Sequence, residues 1–392
     1  MNTRLLSASA RMILATLVVL AAAVAIAAAL AGSGRVWPAY LVGAVFAITI
    51  ALGGVVFVTI HHLTNAAWST TIRRVPEALA AYLPIGAVAM LVTLAGAGAL
   101  YEWTHPGVIE AEGAMAFKAA WLQLPFFAVR MVVVLGVWVG FAWLLRRQSL
   151  RQDHRPGVAA TMRSRVISGV FLVVLALTIT TASVDWLMSV QPHFYSTLYG
   201  WYVFSGVFAS GLAAIAVVVV WLRARGLMPH VTTEHLHNLG KMVFAFSTFW
   251  AYLWFCQYML IYYANLPEEG IYYASRFAVP GGATFFIANV ALGWIVPFVL
   301  LIGRGAKRNP RWLVAGSLAV IAGHYLDIAT IVLPPTTGSS VPGVIDIVVV
   351  AGFGALVLLV ADRALSRAAM APVHDPYLEE GLGVPIGELS RP

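Results

Sequence analysis

The chain has little charge and almost no cysteine. Charged residues make up 10% of its 392 positions, against 61% hydrophobic residues. A soluble domain carries about 25% charged residues, so a water-exposed globular fold is excluded and an integral membrane protein is implied. The single cysteine, Cys256, lies inside an apolar segment. It excludes a disulfide within the chain, an iron–sulfur cluster held by four cysteines of this chain, and a zinc site built on cysteines. No GxGxxG follows a strand and no phosphate-binding P-loop occurs. The formal net charge of +8 is not a nucleic-acid signal. The basic residues fall in loops between apolar runs, where orientation during membrane insertion explains them.

The fold class read from these runs is all-α. About ten segments are long enough for a span of roughly 20 residues. Their expected limits are 12–32, 38–60, 80–101, 122–146, 165–188, 198–222, 241–264, 283–303, 311–333 and 343–364. The first segment, with Arg4 and Arg11 ahead of it, resembles a signal peptide. Its apolar run is long for one, so a retained helix is expected. With the N terminus on the cytoplasmic side, twenty of the 24 Lys and Arg fall inside, from Arg4 to Arg391. Arg35, Lys118 and Arg276 fall outside, and Arg130 lies within a span. An asymmetry of this size supports the helix count and puts both termini inside. Two outer loops, 102–120 (Glu102, His105, Glu110, Glu112) and 265–282 (Glu268, Glu269, Arg276), are expected to meet a periplasmic partner. The tail, with Pro372, Pro376 and Pro385, is expected to run along a partner or to lack fixed structure.

A faint internal repeat joins the fourth helix, which begins PFFAVRM, to the eighth, which begins TFFIANV. It pairs helices 2–5 with helices 6–9. The expected units are a flanking helix in 1–37, a first four-helix bundle in 38–190, a second in 191–335, a flanking helix in 336–365 and a polar tail in 366–392.

Polar residues inside apolar spans are the candidates for function, because placing them there is unfavourable. Thr178–Tyr202 is the densest such stretch, with Asp185, Pro192 and His193 among aromatics. Thr178, Thr181, Asp185 and Ser189 share one helix face and form a possible hydrated line; an interfacial turn with an aromatic belt is the plainer reading. His324 and Asp327, at i and i+3, can share a charge and relay a proton, or tie helices together as a buried pair. Arg130, roughly two to three turns below the outer face, needs a carboxylate, carbonyls or water; Asp185 or Asp327 is the partner expected by depth and sign, and snorkelling to the interface is the plainer reading. Gln257 and Tyr258 lie in the outer part of the seventh helix. His61, His62, His235 and His237 gather at the inner side as a possible proton entry. No two histidines lie at one depth on facing helices, so a bis-histidine haem is excluded. Without that pair and without a cysteine set, the chain carries no electrons by itself.

Taken together, HHLTNAAWSTTIRRVPEALA, PFFAVR, SLRQD, SVDWLMSVQPHFYSTLYGWYVFSG, HNLGKMVFAFSTFWAYLWFCQYMLIYYANLPEE and GHYLDIATIVLP resemble the ActF-type membrane subunit of alternative complex III, a bacterial quinol:electron-acceptor oxidoreductase. That subunit belongs to the wider NrfD or polysulfide-reductase membrane-subunit group. The resemblance runs from about residue 10 to 365. It implies two four-helix bundles with an extra helix at each end, in the bacterial cytoplasmic membrane. It implies partners: an ActC-type paralogue, an iron–sulfur subunit, cytochrome c subunits and small membrane subunits. It places haem c and iron–sulfur clusters in those partners, with no cofactor on this chain and no catalysis by this chain alone. The proton-path positions it implies are Asp185, His193, His324 and Asp327, with Arg130 tuning the acids and His61 at the inner side. A second reading has this chain bind quinol near the outer face through Gln257, Tyr258, His193 and Asp185. A third, of another class, is a secondary transporter for a small solute, for which helices broken at mid-depth are the expected mark.

Overall fold

A computed structural model of the chain describes residues 5–108, 116–155 and 157–383. Arg4, Glu110, Glu112, Pro385 and Arg391 lie outside the described residues. Those described are helical, with no strand among them. Ten helices are long and apolar enough to cross a bilayer: Ala8–Leu30, Val36–Leu63, Arg74–Leu100, Leu124–Gln152, Val158–Val190, Tyr199–Ala224, Thr233–Ala264, Gly282–Leu301, Pro310–Thr337 and Val344–Leu365. They are called the first to tenth spans below. This is a multi-pass membrane protein, and each span includes most of an apolar run expected from sequence. The helices overshoot those runs mainly at the basic side. The third, fifth and seventh begin six to eight residues earlier than hydropathy suggests, with polar turns at 74–79, 158–164 and 233–240. Local chemistry marks the ends. Ser7 Oγ accepts from Ala10 N at 3.1 Å, and Asn309 Oδ1 accepts from Arg311 N at 2.9 Å ahead of the ninth span. Both satisfy amides that a first helical turn leaves open.

The second span is the central post. Its apolar window is 100% buried, whereas that of the first span is 6% buried. The second span packs on the third, fifth, sixth, ninth and tenth. The third also packs on the fourth and the fourth on the fifth; likewise the sixth, seventh, eighth and ninth contact one another in turn, and the ninth returns to the sixth. The first span packs chiefly on the tenth. Asp362 Oδ1 near the end of the tenth accepts from the amides of Leu5 (3.1 Å) and Leu6 (2.9 Å), so the two ends of the spanning region lie on one side.

Small residues let the backbones touch. A Cβ on Gly53 of the second span would stand 2.7 Å from Gly211 Cα of the sixth, and one on Gly323 of the ninth 2.4 Å from Gly293 Cα of the eighth. Such contacts are the usual means of close helix packing in a bilayer. At Gly293 the eighth span passes through one π-helical turn, Ala291–Ile295.

The loop at 265–282 holds a helix, Pro267–Ala278, that packs back on the spans. Its Tyr272 and Arg276 are buried, Glu268 is exposed and Glu269 half-buried. Through residue 383 the tail packs on the chain itself. Asp375 pairs with Arg73, Tyr377 Oη is 3.1 Å from Arg165 Nη2, and Gly381 O is 3.0 Å from His235 Nε2. Cationic and imidazole groups at this side of the spans require partners, and the tail supplies them.

Candidate functional site

The stretch Thr178–Tyr202 connects two buried carboxylates held in different ways. At one end is Asp185, 1% exposed. Its Oδ2 accepts from Arg130 Nε at 2.7 Å and its Oδ1 from Arg130 Nη2 at 3.0 Å. Trp121 Nε1 adds a third bond at 2.9 Å. The guanidinium donates again to Trp121 O at 3.0 Å and lies 4.1 Å from the Trp121 ring and 4.3 Å from Phe126. Of the two carboxylates at its depth, Arg130 takes Asp185. The forked guanidinium matches the carboxylate plane, and the aromatic rings cover the cation.

The hydroxyls that share a face with Asp185 each donate to the preceding turn. Thr178 bonds Val174 O at 2.8 Å, Thr181 bonds Leu177 O at 3.0 Å and Ser189 bonds Asp185 O at 2.5 Å. Each satisfies itself on the preceding turn, the usual fate of a helical hydroxyl in an apolar setting. Thr178 also receives Trp138 Nε1 at 2.9 Å.

At the other end Tyr202 donates to Asp327, 5% exposed, on the ninth span. Asn289 Nδ2 reaches the same oxygen at 2.9 Å, and Trp250 Nε1 reaches Oδ2 at 3.1 Å. The three donors come from the sixth, eighth and seventh spans, and all are neutral. No cation pairs with Asp327 among the described residues. A cavity of about 30 Å³ adjoins it, lined by Gln257, Tyr272, Tyr273, Arg276 and Phe286 among others. About 10–15 Å³ admits one water, so this space takes roughly two. Gln257 Oε1 and Asn289 Oδ1 are buried without a protein partner. Arg276 shares the cavity but spends its donors elsewhere: on the carbonyls of Thr330 and Ile331 at 3.1 Å each, and on Gln191 Oε1 and Tyr272 O at 2.6 Å. Burial raises the Tyr272 phenol above its ordinary value, so it remains a neutral hydroxyl beside the cation.

His324 does not join Asp327. Its Nε2 lies 2.9 Å from Thr49 Oγ1 of the second span. Thr49 gives its own proton to Phe46 O at 2.9 Å, so the imidazole is the donor and carries its hydrogen on Nε2. Nδ1 has no protein partner. His324 lines a void of about 10 Å³ with Gly206, Trp250 and Gly293. Trp250 thus stands between His324 and Asp327, its indole nitrogen on the acid.

The remaining candidates scatter. His193 is exposed on the loop before the sixth span. Tyr258 is half-buried in an aromatic stack, with ring centroids 6.0 Å from both Trp254 and Tyr262, and it does not line the Asp327 cavity. His61, buried on the opposite side, donates Nδ1 to Phe57 O at 2.7 Å and stacks on the Phe57 ring at 3.9 Å. It sits beneath Trp68 at 5.1 Å rather than at an open entry.

Sequence reasoning missed Tyr202, Trp250, Asn289, Trp121 and the inward turn of Arg276. One signal was available. In the faint repeat, PFFAVRM over TFFIANV sets Arg130 opposite Asn289. Each donates to a carboxylate of the following span, Asp185 and Asp327 respectively. The two halves carry the same contact with a cation in one and an amide in the other. No family model matches the chain, and no curated protein matches it either.

Proposed function

We propose that this chain is a non-redox membrane subunit of a quinol:electron-acceptor oxidoreductase of the alternative complex III type, in which Asp327 carries a proton and the Arg130–Asp185 pair holds the structure. The observation that carries the proton role is the setting of Asp327. It is a buried acid with three neutral donors, no ion-pair partner among the described residues and space for about two waters. A carboxyl so placed can exist in either protonation state without breaking an ion pair. Asp185 cannot, because losing its charge would leave Arg130 buried and unpaired. Gln257 offers a free acceptor oxygen in the cavity lining, suited to orienting water. His324 contacts Thr49 rather than Asp327 and takes no step in this reading.

The membrane-subunit assignment rests on the motif resemblance together with ten spans and the paired Arg130 and Asn289 contacts. The ActC-type, iron–sulfur and cytochrome c partners follow from that resemblance. Quinol binding by this chain beside Gln257 has less support, because the 30 Å³ cavity is far below the roughly 150 Å³ that admits a benzene ring. The transporter reading also has less support: the third span is interrupted by a turn at 81–82 and a 3-10 turn at Thr93–Gly96, and the eighth by a π turn, but all three keep right-handed helical backbone rather than unwinding. Affinity purification from native membranes tests the assignment. Co-purification of c-type haem and iron–sulfur proteins is expected; a chain that purifies alone refutes it. In such a preparation Asp327→Asn should abolish proton translocation by this subunit while assembly and electron transfer persist.

A further inference from the structure

On the side of the bilayer where the two ends of the spanning region meet, the first, sixth and tenth spans enclose a cavity of about 270 Å³. Leu6, Leu14, Val218, Trp221 and Leu358 are among its walls, which are apolar except for Asp362. Leu358 is 44% exposed, and in a span that exposure faces lipid, so the cavity opens sideways to the bilayer. On the tenth span the lining runs from Leu358 to Leu365, a depth of roughly 10 Å. Two guanidiniums border it. Arg11 Nη1 donates to the carbonyl of Leu6, a wall residue, at 2.8 Å. Arg225 Cζ stands 5.3 Å from the ring centroid of Trp221, another wall residue. Neither cation pairs with a carboxylate among the described residues. Asp362 is 5% exposed, and its Oδ1 accepts from the amides of Leu5 and Leu6 rather than from either arginine.

We propose that this cavity seats one acyl chain of an anionic phospholipid whose phosphate is bound by Arg11 and Arg225. Three features select that occupant. The cavity is apolar but only about a third as deep as the roughly 30 Å hydrocarbon layer, so it fits the upper part of a lipid tail and would leave most of a partner helix unseated. The forked guanidinium matches phosphate, and basic pockets between spans suit anionic headgroups. Trp221 lies in the last turn of the sixth span, at the headgroup level where tryptophan rings settle, and it brings the Arg225 charge to that level. The site shares no residue with the Asp327 cavity and does not rest on the proton-carrier reading.

The test is native mass spectrometry of the full chain, stripped of lipid in a non-ionic detergent and titrated with dioleoyl phosphatidylglycerol or dioleoyl phosphatidylcholine. The two lipids share tails and phosphate, and only the first carries a net charge. One tight phosphatidylglycerol per chain is expected, preferred at least about tenfold over phosphatidylcholine. Arg11→Gln combined with Arg225→Gln should reduce that preference about tenfold. Arg151→Gln combined with Arg155→Gln removes the same charge from the connection between the fourth and fifth spans and should leave it unchanged. Leu14→Trp, which fills the cavity from the peripheral first span, should abolish the tight adduct while circular dichroism shows unchanged helical content. Equal binding of the two lipids overturns the proposal. So does an equal fall in both double variants, an adduct that survives Leu14→Trp, or the absence of a tight adduct on the wild-type chain.

Discussion

Asp185 and Asp327 sit on aligned helices of a faintly repeated chain, and both are buried. Asp185 shares two bonds with a guanidinium, and Asp327 takes three from a phenol, an amide and an indole. Attraction between opposite charges about 3 Å apart ties the first to its guanidinium. Hydrogen bonds from neutral groups leave the second freer, since a phenol and an amide can turn or reorganise when the acid gains a proton. One difference across the repeat, Arg130 against Asn289, separates an ion-paired acid from one held by neutral donors. Burial alone therefore does not distinguish the two carboxylates; the charge of their partners does.

The largest expected effect comes from breaking the ion pair. Arg130→Ala should destabilise the chain by about 3–5 kcal/mol, the usual result of leaving a buried charge unpaired. Thermal unfolding in detergent and folded yield read this directly. Arg130→Met combined with Asp185→Leu should recover most of the loss; failure to recover would show that Asp185 does more than hold helices. Asn289→Arg converts the second half to the first. It should pair with Asp327, cost about 1–3 kcal/mol through overpacking, and stop proton exchange at Asp327. Asp327→Asn should cost about 1–3 kcal/mol, because one donor then faces an amide NH₂ instead of an acceptor, and should remove proton translocation. The smallest effect is that of Tyr202→Phe, about 0.5–1.5 kcal/mol for one hydrogen bond, with slowed rather than abolished proton exchange.

The spans were legible because a bilayer demands about 20 apolar residues in sequence, a one-dimensional requirement. Arg130 with Asp185 was nearly legible, since sign and depth left only two carboxylates. The Asp327 site was not. Its donors come from three different spans, and neither Tyr202 nor Trp250 departs from an ordinary membrane composition. His324 and Asp327 are three residues apart and so share a face broadly, yet one turns toward Thr49 of the second span and the other toward the sixth, seventh and eighth. That divergence depends on which spans surround the ninth, which only the assembled fold displays. The tail's contacts were not legible for a related reason. Its polarity matches that of an extended segment, but Asp375 and Tyr377 meet Arg73 and Arg165, which are distant in sequence.

Infrared difference spectroscopy across a pH titration of the chain in its native complex tests the contrast most directly. A carboxylic C=O band that responds to pH should vanish in Asp327→Asn and persist in Asp185→Asn. Loss of that band in Asp185→Asn, or its survival in Asp327→Asn, would contradict the division between a fixed and an exchangeable carboxyl.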